Sequence, residues 1–167
     1  MTRLLPLSAL ALTLLAPSFV AAQSPVPTEM RAADFLVGAW QCADTVGDYA
    51  GTYTTTISPT LDGRWLQQVY DFPKSSALPN GLRGSFFIGF DPRNGKWLRL
   101  GAMNDGMYFG MVGTRTDSIW TYGYVLPGTS GSAVYIKRSG GEYTILGPSY
   151  PEGGKTVTEH HTCRKAG

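Results

Sequence analysis

Histidine and cysteine are scarce in this chain, with two of each in 167 residues, and charged residues make up only 16%. Two histidines rule out a catalytic zinc centre of the three-histidine type. Lysine and arginine number 14 against 12 aspartate and glutamate, so the chain lacks the basic surplus that holds DNA, RNA or anionic lipid. It contains no Gly-x-Ser-x-Gly elbow, no Walker loop and no Gly-x-Gly-x-x-Gly fingerprint. The usual sequence signals of a serine hydrolase, a P-loop NTPase and a dinucleotide fold are therefore missing. Long apolar runs are also missing, apart from one near the N-terminus.

That run, LLPLSALALTLLAP, follows Arg3 and precedes Val20-Ala21-Ala22. Small residues at the −3 and −1 positions before Gln23 predict a secretory signal peptide over residues 1–22. An anchor is the alternative, but about 14 residues interrupted by proline fall short of the roughly 20 that span a bilayer. Cleavage leaves a net charge of about +1 on about 145 residues, enough for one domain with a single core. Residues 23–33 read as a polar leader and 34–165 as one β-domain. The expected location is periplasmic or extracellular, with no membrane span and no nucleic-acid partner; oligomeric state is left open.

Glycine (21), proline (11), tyrosine (9) and tryptophan (4) are plentiful, a composition of strands and turns. RAADFLVG is the one helical turn. Beyond it, short strand-like runs alternate with turn signals, predicting ten strands near Val37–Thr45, Gly51–Ser58, Arg64–Phe72, Leu82–Phe90, Lys96–Ala102, Met107–Gly113, Ser118–Val125, Ala133–Arg138, Glu142–Leu146 and Lys155–Arg164. Turns such as Leu61-Asp-Gly63, Pro79-Asn-Gly81 and Asn104-Asp-Gly106 supply residues that tolerate positive φ. Connections this short join antiparallel neighbours. The fold expected is all-β, an up-and-down antiparallel barrel closed to remove its edges, with a two-sheet sandwich as the alternative. A bridge between Cys42 and Cys163 would tie the first strand to the last.

FLVGAWQC places Gly38 and Trp40 in a Gly-x-Trp on the first strand, and LDGRWL, IGFDPRNGKWL and DGMYFGMVG follow it. Together these resemble a bacterial family of secreted, lipocalin-like proteins of unknown function, over about Phe35 to Cys163. The resemblance implies a calycin-like barrel with Gly38 and Trp40 as a structural plug, and it implies no activity. More distantly the chain is similar to nitrobindin-like haem barrels, which use a late histidine as iron ligand. Gln41-Cys42-Ala43-Asp44 departs from their glycine pattern.

Strand alternation in TVTEHHTC puts Glu159, His161 and Cys163 in one row and His160 in the other. If Trp40 points inward and Cys42 bonds Cys163, Glu159 and His161 face the lumen too, barring a bulge. The expected function is a lipocalin-like protein binding a small apolar or amphipathic ligand in its lumen. Tyr53, Trp65, Phe87, Trp97, Met107, Phe109, Met111 and Trp120 are wall candidates, and Arg64, Arg99 or Arg115 could neutralise a carboxylate, although parity prevents all from facing inward. Trp65, Arg99, Met107, Phe109, Met111, Trp120, Glu159 and His161 form the expected ligand site, with no catalytic residue, metal or cofactor assigned. The alternatives are a haem-binding or acid/base enzyme centred on His161, and a filled barrel acting as an envelope interaction module.

Overall fold

A computed structural model describes residues 25–126, 134–152 and 154–167. The expected signal peptide lies outside these residues, as does Ala133, the expected start of the eighth strand. The described chain holds one 3-10 helix, Thr28–Leu36, and ten strands. They are β1 (Gly38–Val46), β2 (Tyr49–Thr60), β3 (Trp65–Phe72), β4 (Leu82–Asp91), β5 (Lys96–Met103), β6 (Tyr108–Thr116), β7 (Ile119–Tyr124), β8 (Val134–Ser139), β9 (Glu142–Glu152) and β10 (Lys155–Lys165). Each strand pairs antiparallel with its chain neighbour, and β10 returns to pair with β1, so the sheet closes into a barrel. The sandwich alternative is excluded.

Closure is fixed by register. Trp40 faces Lys165, Cys42 faces Cys163 and Asp44 faces His161 across the β1–β10 seam. Cys42 and Cys163 are disulfide-bonded there, linking residues 121 apart in sequence. Because side chains alternate along a strand, this register carries the inner row of β1 (Trp40, Cys42, Asp44) onto Cys163 and His161 of β10. The burial pattern of β1 repeats the alternation, with every second residue buried.

One end of the tube is plugged. Met30, Ala33 and Leu36 of the helix are all buried. They recur every three residues, the spacing that lines one face of a helix with three residues per turn. The helix therefore begins at Thr28 and not within RAADFLVG, and part of the expected polar leader packs into the barrel. Trp40 donates its indole N–H to Leu36 O at 2.7 Å and meets Tyr143 edge-on with ring centroids 4.7 Å apart. Phe35 packs on Trp120 at 5.4 Å and Trp120 on Trp97 at 5.7 Å. These rings fill the lumen at that end.

β9 carries an irregularity that matters for the site. Thr158 faces Ser149 but His160 faces Leu146, so two residues of β9, Gly147 and Pro148, stand opposite Glu159 alone. This is a β-bulge, and proline, which has no N–H for the ladder, is tolerated at such a place.

Candidate functional site

Beyond the aromatic plug the lumen opens into a cavity of about 680 Å³. Its apolar wall includes Phe72, Met103, Phe109, Met111 and Ile145, and Leu78 from the β3–β4 connection lies at its mouth. That connection is folded on itself, with Ser75 and Gly81 N–H both donating to Leu78 O at 3.0 and 2.9 Å. The interior is thus divided into a filled half and a hollow half, so the lumen is not filled throughout.

Two polar groupings interrupt the apolar wall. The first is centred on His161. Its Nδ1 lies 3.2 Å from the Tyr53 hydroxyl and 3.4 Å from Asp44 Oδ1, and its Nε2 lies 3.6 Å from Glu159 Oε2. Asp44 Oδ1 is buried and completes no hydrogen bond. Burial holds the Asp44 carboxyl above its ordinary range; the His161 ring opposes that rise and the nearby Glu159 carboxylate adds to it. The Tyr53 hydroxyl is pushed upward, chiefly by burial, so it stays protonated. Glu159 leans against Gly147 of the bulge, where a Cβ would fall 2.6 Å from the Glu159 Cβ; only glycine leaves room for it.

The second grouping is centred on Arg99, which is 4% exposed. Its Nη2 donates to Gln68 Oε1 at 3.2 Å and to the Tyr70 hydroxyl. The guanidinium carbon lies 5.4 Å from the Phe86 ring centre and 5.6 Å from that of Phe109, within cation–π range. Phe86 reaches this position because residue 101 on the neighbouring strand is glycine: a Cβ there would fall 1.9 Å from Phe86 Cδ1. The Tyr70 phenol is held high, with burial raising it against the opposing Arg99 charge, so it too stays neutral.

Of the residues expected to form the site, Arg99, Met107, Phe109, Met111, Glu159 and His161 line this cavity. Met107 stands at the mouth, 61% exposed. Trp65 and Trp120 require correction. β3 buries its even-numbered residues, Leu66, Gln68, Tyr70 and Phe72, so Trp65 lies on the outer face, its ring over Gly89. Trp120 faces inward but in the plugged half, beside Trp97 and Phe35.

Among the other wall candidates, Tyr53 is buried beneath His161, Trp97 belongs to the plug, and Phe87 alternates with the buried Phe86 and Ile88, which puts it on the outer row. Arg64 sits at the β2–β3 turn, and Arg115 covers the Trp120 ring at 5.1 Å. Asp44, Tyr70, Phe72 and Ile145 were not expected. Asp44 could have been found by continuing the Gly38, Trp40, Cys42 row by one more step.

A haem iron requires a ring nitrogen of His161 presented to the cavity. His161 Nδ1 faces the Tyr53 hydroxyl and Asp44, and an iron at Nε2 would have to displace Glu159 Oε2, 3.6 Å away. Among the described residues, no cluster of three or more His, Cys, Asp or Glu could hold a metal ion, and no helix is long and apolar enough to cross a membrane.

The fold defines the class, a closed ten-stranded antiparallel barrel of lipocalin-like architecture. The chain matches no protein-family model, and no curated protein matches it significantly in sequence.

Proposed function

We propose that this chain is an exported lipocalin-like carrier that holds a small apolar or amphipathic molecule in its lumen. The observation that carries the reading is the cavity of about 680 Å³ above a plugged barrel end. Its size falls in the range of roughly 300–1,000 Å³ common to small-molecule sites, and its apolar wall with a few convergent polar groups has their usual chemistry. Export is supported by the signal-peptide pattern before Gln23 and by the Cys42–Cys163 disulfide, a bond that persists in oxidising compartments. The kinship suggested by the Gly38-x-Trp40 segment fits the same reading.

Thermal denaturation against a panel of fatty acids, aromatic acids and their matching alcohols tests it. At least one class raises the midpoint of the wild type, and the rise is lost in Met103→Trp, which crowds the mouth. A panel without effect would remove the proposal. A second reading, proton transfer at His161, draws on the contacts of that ring with Asp44 and Glu159, since an imidazole between carboxylates is suited to acid/base work. Mass spectrometry of the bound molecule after prolonged incubation separates the two: a carrier returns it unchanged.

A further inference from the structure

We infer that the lumen selects a molecule with an anionic head, a carboxylate or similar oxyanion, which docks on Arg99 with its tail toward the mouth. This rests on the carrier reading and adds the chemistry of the head group. Arg99 is 4% exposed, and a guanidinium keeps its charge at any physiological pH. Among the described residues, no carboxylate lies within ion-pair distance of it. Its neighbours are the neutral Gln68 and Tyr70 and two aromatic faces, and its Nε is buried with no hydrogen-bond partner.

A buried charge without a counter-ion is unfavourable, and a site needing only bulk is better served by an apolar side chain of similar volume. An oxyanion entering the cavity supplies what is missing: it compensates the charge and accepts the charge-assisted hydrogen bonds a guanidinium fork is shaped to give. The two acidic groups of the cavity do not compete for Arg99. Asp44 and Glu159 both lie against His161, and neither is within ion-pair distance of Arg99. From Arg99, β5 runs to Met103 and β6 presents Phe109 and Met111, an apolar path for a tail.

The test compares isosteres that differ only at the head: decanoate, decanol and decylamine, titrated into the purified full chain by calorimetry. Decanoate should bind roughly ten- to a hundredfold more tightly than decanol, the factor expected for hydrogen bonds to a charged group. Arg99→Met, checked by circular dichroism, should bring the acid-to-alcohol ratio close to one while decanol still binds. Should that variant not fold, Arg99→Lys, which keeps a charge but loses the guanidinium fork, should lower the acid-to-alcohol ratio severalfold; a ratio equal to that of the wild type would count against the inference. Equal binding of acid and alcohol by the wild type, or a preference for decylamine, would overturn the inference and leave the carrier reading standing. Failure of all three to bind would overturn the inference, and only failure of the wider panel of fatty acids, aromatic acids and alcohols would overturn the carrier reading with it.

Discussion

Asp44 shows how a single residue is caught between burial and charge. The residue is 7% exposed, with one carboxyl oxygen completing no hydrogen bond, and burial raises its proton affinity more than the facing His161 ring lowers it. The folded protein therefore holds the Asp44 proton to higher pH than the unfolded chain does. Where the folded state binds more protons, stability falls as pH rises. The destabilisation is absent below the ordinary carboxylate value of about 4, grows as pH climbs through the raised one, and is complete above it. Asp44→Asn should melt at higher temperature than the wild type at pH 8, with the difference disappearing near pH 3; equal midpoints at pH 8 would contradict the assignment. Asp44 was legible in principle, because strand parity carries Trp40 and Cys42 to it. Trp65 was not, since which face of β3 points inward depends on register with its neighbours, and a lone aromatic residue does not encode that.

Turns are where the elements were most legible and also where they are least optimised. Leu61-Asp62-Gly63 announces the β2–β3 hairpin, yet both Leu61 (φ 49°) and Asp62 (φ 58°) adopt left-handed backbone. The loop has four residues, Leu61 to Arg64, between the paired Thr60 and Trp65, and left-handed positions in such turns favour asparagine, aspartate or glycine. A leucine in this region is disfavoured by roughly 1–2 kcal/mol. Leu61 is 62% exposed, so little packing is lost when it is replaced. Leu61→Asn should stabilise the protein by about 1 kcal/mol in urea denaturation, with the lumen unchanged; a loss of stability would mean that the leucine side chain makes a contact worth more than the backbone relief. Other boundaries were hidden for physical reasons. The bulge at Gly147-Pro148 lets β9 continue past Leu146 to Glu152, where the two breakers in sequence read as a strand end. The helix start at Thr28 was masked by polar neighbours, and only the three-residue spacing of Met30, Ala33 and Leu36, which becomes visible once they are seen buried together, explains it.

At the scale of the whole molecule, one seam decides both stability and site. The β1–β10 ladder pairs Trp40 with Lys165 at the plugged end and Asp44 with His161 at the cavity, and the disulfide lies between them. Constraining a loop with ends 121 residues apart is worth roughly 4–5 kcal/mol by chain entropy, an upper figure. The remaining ladders and the aromatic plug do not depend on that bond, so the barrel should survive its loss in weakened form. The Cys42→Ser/Cys163→Ser double variant should keep the β-type circular dichroism of the wild type while its urea midpoint falls by the equivalent of about 4 kcal/mol or less. His161 is two residues from Cys163 on the same strand face, so loosening the seam also loosens the imidazole that holds Asp44 and Glu159. The variant should then bind any lumen ligand more weakly than the wild type even under conditions where both are fully folded. An unchanged midpoint together with unchanged affinity would show that the ladder alone fixes the closure, and that the covalent clasp contributes neither to the tube nor to its contents.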